Sequence, residues 1–237
     1  MTYAVPEEVA DRVIAAFLEG RAIQREWREV RNGKELVRAL AAFSPNIKSP
    51  EDCPAEYMPD WLAQLIPTLY DGIAADQVVP FFIGLGERAK LWSVLDLEAW
   101  ERVRVAFLSH CISDALAEAE SVCPQPRPVW FTQVRDACEM VLAALRGEGK
   151  LATANVATYA AAHATASATA YAAYAAYAAY ITASATAFAA GSTTAYTAAN
   201  VAVTAAENHA AYQRQVDALF SALDAEITTA SDKEPNQ

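Results

Sequence analysis

Apolar residues recur at helical spacing along most of this chain, and the stretches are separated by proline, glycine and asparagine. Pro6, Glu7 and Glu8 read as a helix first turn, after which Val9, Val13, Ile14, Phe17 and Leu18 mark one face as far as Gly20. Arg21 to Val30 reads as a charged helix around Ile23 and Trp27, stopped by Asn32-Gly33, and Leu36, Val37, Leu40 and Phe43 begin another short helix. Pro45, Pro50, Pro54 and Pro59 then make residues 44–60 a surface loop, because so many prolines remove too many backbone donors for regular structure.

Asp60 stands where it can cap a helix carrying Trp61, Leu62, Leu65 and Leu69, with Pro67 kinking or ending it. Asp76 can cap a further apolar helix broken by Pro80, Gly84 and Gly86. The clearest stripe follows Asp96, a good N-cap: Trp100, Val103, Phe107, Cys111 and Ile112, then Ala115 or Leu116. That helix must stop before Pro124, Pro126 and Pro128. Val134, Ala137, Cys138, Val141, Leu142 and Leu145 repeat the pattern up to Gly147 and Gly149, so a helical hairpin is the expected packing.

Between Lys150 and Glu207 no Lys, Arg, Asp or Glu occurs, and Ala, Thr, Ser and Tyr dominate. Thr165-Ala-Ser-Ala-Thr-Ala-Tyr171 is echoed by Thr182-Ala-Ser-Ala-Thr-Ala-Phe188. Alanine favours helix and is depleted in strands, so the alternating stretches are read as helix. Tyr174, Ile181 and Phe188 fall seven apart on one seam, whereas Tyr171, Tyr174, Tyr177 and Tyr180 step three apart and drift around the helix. One helix from Leu151 to Ile227 would run about 115 Å at ~1.5 Å per residue, so a break near Gly191-Ser192 is expected. The fold class that follows is all-α, an irregular multi-helix bundle with tightly packed alanine-rich helices in its C-terminal half. Residues 1–95 form an irregular helical region, 96–230 the helical hairpin with the Ala/Thr/Tyr-rich helices, and 231–237 a disordered tail.

Charge narrows the function. A formal net charge of -11 on 237 residues disfavours nucleic acid, whose phosphates require clustered Lys and Arg, and suits solubility or a basic protein partner. The long uncharged stretch has too few Val, Ile, Leu and Phe among its Thr, Ser, Asn and His to drive membrane insertion. Cys53, Cys111, Cys123 and Cys138 form no C-x-x-C pair and read as free thiols, and no apolar signal segment follows Met1, so the expected location is cytoplasmic.

No residue pattern here performs chemistry: the catalytic, metal and cofactor sets are all empty, and the protein is expected not to be an enzyme. His110, Cys111, Cys123 and Cys138 lack ligand spacing for zinc, and His163 and His209 have no nucleophile arrangement beside them. Gly84-Leu85-Gly86-Glu87 lacks the third glycine of a dinucleotide fingerprint and reads as a helix break. Asp96, Glu98 and Glu101 are first-turn acids favoured by the helix dipole. The proline loop is different, because Glu51, Asp52, Glu56 and Asp60 are interleaved with Tyr57, Met58 and Trp61. Acids around aromatic anchors suit a binding surface, and Glu51, Asp52, Glu56, Tyr57, Asp60 and Trp61 are the candidate partner-binding residues.

From Leu108-Ser109-His110-Cys111 onward the chain resembles a known family. The parts are Ala115-Leu116, the Pro124-Gln-Pro-Arg-Pro128 link, Val134-Arg-Asp-Ala137, Leu145-Arg-Gly-Glu148 and the Ala-Ala-Tyr repeats. Their order is similar to that of helical immunity proteins that accompany bacterial polymorphic toxins, over roughly residues 97–212. The resemblance implies inhibition of a toxin by direct binding, with no catalytic group, and the acidic balance of this chain makes a basic toxin domain the expected partner. The alanine tract here carries no Arg or Asp, unlike many members, and no binding residue is carried over.

Two other readings stand beside it. Thr182, Thr193 and Thr204 recur every eleven residues, as in an ice- or surface-binding helical protein, although Gly191 interrupts the row. A phage or bacterial structural interaction protein, with self-association, would need the same scaffold.

Overall fold

The structure, a computed structural model, describes residues 2–122, 127, 129–148 and 209–232. These are mostly helical, with six α-helices and one two-stranded sheet among them. The helices are α1 (Glu7–Leu18), α2 (Asp60–Gly72), α3 (Val78–Ala89), α4 (Leu97–Val122), α5 (Val129–Leu145) and α6 (His209–Ser231). The strands are β1 (Arg28–Arg31) and β2 (Lys34–Val37). Expectations for the alanine-rich stretch, Cys123 and His163, and for all but the first two residues of the tail, fall outside the described residues.

The chain divides into two compact units, residues 1–104 with 208–237, and residues 105–207. In the first, α1 starts after Pro6 with Glu7 and Glu8 in its first turn, as its sequence indicates. It ends at a left-handed Gly20, where the amides of Gly20 and Arg21 bond back to Phe17 and Ala16. Val9, Val13 and Phe17 are buried and pack toward α3, where Phe17 stacks on Phe82.

The all-α expectation is corrected at residues 21–37, which form no helix. Arg28–Arg31 and Lys34–Val37 pair antiparallel, and Asn32 and Gly33 are the two turn residues, both at positive φ (54° and 75°). Positive φ at both central positions is the backbone of a type I′ turn, whose twist matches that of the strands. Asn32-Gly33 is therefore a hairpin turn and not a helix stop. Beyond β2 a 3-10 turn, Leu40–Ala42, buries Leu40 next to Phe43.

Three more expectations change. Asp60 makes no side-chain cap: Pro59 holds the cap position of α2 and Asp60 is a first-turn acid. Of the two outcomes expected at Pro67, only an end is ruled out, since α2 continues to Gly72. Asp76 lies in a 3-10 turn ahead of α3 and caps nothing, and α3 runs unbroken through Pro80, Gly84 and Gly86. Pro80 sits in the first turn, where its missing N–H has no helical partner to lose.

The two glycines of α3 stay helical because neighbours press on them. A Cβ on Gly84 would lie 2.6 Å from Cε2 of Phe220, and one on Gly86 would lie 2.5 Å from Cγ1 of Ile14. Gly72, at the end of α2, lies in the same way under the ring of Tyr212. Helix α6 thus packs on α2 and α3 through Val216, Leu219, Leu223 and Ile227, which recur at helical spacing on its buried face. Phe220 stacks on Phe81, and Arg88 lies over Phe220 while pairing with Asp224 at 2.6 Å. This α6 belongs to the first unit.

Asp96 does cap α4, its Oδ1 accepting the Ala99 amide at 2.7 Å. Trp100 and Val103 are buried in the first unit, where Arg102 forms a two-pronged pair with Glu226 at 3.0 and 2.8 Å. In the second unit α4 buries Phe107, Leu108 and Ile112, while α5 buries Phe131, Val134, Ala137, Cys138 and Val141. Val134, Ala137, Cys138 and Val141 belong to the stripe read from the sequence, whereas its Leu142 and Leu145 are half-buried and Phe131 was not part of it. No helix among the described residues is long and apolar enough to cross a membrane.

Candidate functional site: an acidic loop over an aromatic column

Residues 44–60 form the expected loop, with one 3-10 turn at Pro50–Asp52. It is held in shape from within. The amides of Ile47, Asp52, Cys53 and Tyr57 donate to the carbonyls of Ser44, Ser49, Pro50 and Pro54. Asp52 closes the first turn by accepting the Lys48 amide at 2.9 Å and the Ser49 hydroxyl at 3.2 Å. The Lys48 amide is the main reason its carboxyl titrates below the usual range. At the other end the Ala4 amide donates to the Glu56 carbonyl at 2.7 Å, which ties the N-terminal arm to the loop.

Phe43 and Trp61, at the two ends of the loop, belong to one set of contacting rings. Trp100 meets Tyr3, Trp61 and Trp92 edge to face, with centroids 5.7, 6.4 and 5.5 Å apart, and Trp92 stacks over Phe43 at 6.3 Å. Edge-to-face pairs of this kind add to the stabilisation that burial gives. Ile47 and Met58, from the loop itself, are buried close by in sequence and pin it from both sides of the 3-10 turn. The loop is therefore a fixed surface.

Of the candidate partner-binding residues, Glu51, Asp52, Glu56 and Asp60 are exposed, while Tyr57 and Trp61 are half-buried. Among the described residues none of the four carboxylates forms an ion pair. The Cys53 thiol is pushed up to about 12, first by burial and then by the charges of Asp60 and Glu56. At neutral pH it is a protonated, poorly nucleophilic group. Cys111 and Cys138 are likewise pushed up to about 12 by burial.

The sequence did not point to Tyr3, Trp92 or Trp100 as parts of this surface. Their spacing in the chain is irregular, and only long-range packing brings them under the loop. Asp52, one of the candidate partner-binding residues, also serves the loop's own turn through its carboxylate.

His110 is exposed on α4 next to Cys111, and the Nδ1 of His209 lies 2.8 Å from the Gly72 carbonyl, at the end of α2. Among the described residues no group of three His, Cys, Asp or Glu is gathered closely enough to hold a metal ion. Glu101 pairs with Arg104 at 2.5 Å, so Asp96 is a cap and Glu101 a partner in a helix-surface ion pair. No family model matches the chain, and neither a curated protein nor a solved structure matches it.

Proposed function

We propose that this protein works by contact, as a cytoplasmic immunity protein that binds a basic toxin domain through the acidic loop at residues 51–61. The observation that carries the reading is the row of four exposed carboxylates, Glu51, Asp52, Glu56 and Asp60, without ion-pair partners among the described residues on a loop fixed by its own hydrogen bonds. A preformed acidic surface steers a basic partner during encounter and loses little freedom when bound. Tyr57 and Trp61, half-exposed between the acids, supply the apolar contact that charge alone does not.

Such inhibition needs no catalytic group. The helices provide a rigid support, and the alanine-rich stretch enters this reading through its sequence alone, as part of the tightly packed helical bundle expected there. The resemblance to immunity proteins supplies the identity of the partner class.

The test is co-expression with the product of the neighbouring reading frame. The reading expects that product to be toxic alone, to be neutralised by this chain, and to co-purify with it. A neighbouring product that neither binds this chain nor is neutralised by it would end the proposal.

A further inference from the structure

The outer edge of β1 has an open row of hydrogen-bonding groups and a charge pattern that complements itself. In a hairpin with a two-residue turn, the residues flanking the turn exchange hydrogen bonds and the pairs then alternate. Arg31↔Lys34 and Glu29↔Leu36 are therefore the bonded pairs, and the N–H and C=O groups of Arg28 and Val30 point away from β2. The alternation is visible on β2, where the outward groups of Val37 are taken: Val37 donates to the Arg21 carbonyl and accepts from the Ile23 amide. Among the described residues no segment does the same for Arg28 and Val30. Val30 is 72% exposed.

We infer that β1 pairs antiparallel with β1 of a second copy of this chain, about a two-fold axis at Val30. In that register the two Val30 residues exchange both backbone hydrogen bonds, and Arg28 comes opposite Asn32 of the other copy. Glu29 of each copy then lies opposite Arg31 of the other, on the face where the two already pair within one strand at 2.8 Å. Four alternating charges close into a ring.

The neighbouring register, centred on Glu29, also aligns the open hydrogen-bonding groups. It sets the two Glu29 carboxylates directly against each other, and like charges at that separation repel. Natural edges usually use charge to prevent pairing. Here the order Glu29-Val30-Arg31 turns the same device into attraction toward a copy of itself and toward no uniformly charged strand. About five residues a side are far fewer than the ~20 to 30 of a stable interface, so the dimer is weak and forms at high concentration.

Sedimentation equilibrium of the full chain from ~10 µM to ~1 mM tests this, a range that covers weak dissociation constants. The wild type should rise from 25.5 kDa toward twice that mass. Val30→Pro deletes an outward N–H while leaving the hairpin's own bonds intact, and should stay monomeric. Glu29→Arg faces arginine with arginine and should weaken association about tenfold or more, and Glu29→Arg with Arg31→Glu should restore it. Circular dichroism melts establish that each variant folds, and if Val30→Pro does not, the charge reversal and its swap decide. A wild type monomeric at ~1 mM, a dimer indifferent to Glu29→Arg, or a swap that fails to restore pairing would overturn the inference.

Discussion

In the hairpin Arg28 pairs with Glu35, Arg31 with Glu29, and Arg38, just beyond β2, with Asp71 on α2. In the proline loop Glu51, Asp52, Glu56 and Asp60 form no ion pair among the described residues. Both segments are short, polar and outside the helices, yet their charges have different duties. The hairpin uses its arginines to hold itself to the body: Arg28 also donates to the carbonyls of Ala41 and Ser44, and Arg38 lies over Trp27. The loop is held by prolines, backbone bonds, the Asp52 turn and the Trp100 column, which leaves the carboxylates of Glu51, Glu56 and Asp60 outside its own bonding. A charged residue thus points to a binding surface when the segment carrying it is fixed without it.

The largest expected effect comes from removing the loop's anchor. Trp100→Ala deletes the ring that Tyr3, Trp61 and Trp92 all meet, and should cost about 3–5 kcal/mol in chemical denaturation. A loss under ~1 kcal/mol would break the claim that the column fixes the loop. Next is Arg38→Ala, which leaves Asp71 without its cation in a pair whose side chains are only 14% and 21% exposed. The Arg25 amide still donates to Asp71, so the expected cost is about 1–3 kcal/mol. No measurable loss would mean that the hairpin does not depend on its charges.

Gly33→Ala should cost about 1 kcal/mol from left-handed strain alone, since open space surrounds the added methyl group. Thermal melts would show it, and an unchanged midpoint would argue against the tight turn. The smallest effect concerns acid. The Asp52 carboxyl titrates below its ordinary value in the folded loop, so its contribution is present above the unfolded pKa and is lost as pH falls through the folded one. Trp61 fluorescence should therefore begin to change on acidification at higher pH in Asp52→Asn, which lacks that contribution at every pH, than in the wild type. Coincident curves would show that the Asp52 turn does not hold the loop.

Much of the helical part was legible. The Asp96 cap, the Trp100–Val103–Phe107 stripe and the buried face of α5 follow from spacing alone, because each helix satisfies its backbone locally and needs only one apolar face. The hairpin was not. Arg28-Glu29-Val30-Arg31 has no apolar alternation, and the informative signal was Asn32-Gly33, whose positive φ suits a hairpin turn as well as a helix end. Gly84 and Gly86 misled for the opposite reason: their intrinsic tendency to break a helix is overridden by Phe220 and Ile14, which need the missing side chains in order to approach. The acidic loop was read correctly as exposed. Its support was hidden, since Tyr3, Phe43, Trp61, Trp92 and Trp100 converge only in the fold, and the place of α6 against α2 and α3 is likewise set by contacts between distant residues.

The central claim is that the loop's unpaired carboxylates are the partner-binding surface. Its most direct test is the affinity of this chain for the product of the neighbouring reading frame, measured by calorimetry at about 50 and 500 mM salt. The measurement is made on the wild type and on the variant carrying Glu51→Lys, Asp52→Lys, Glu56→Lys and Asp60→Lys. The account predicts wild-type binding that weakens steeply with salt, and a variant that binds at least ~100-fold less tightly with little salt dependence. Equal affinities and equal salt dependence in the two proteins would contradict it.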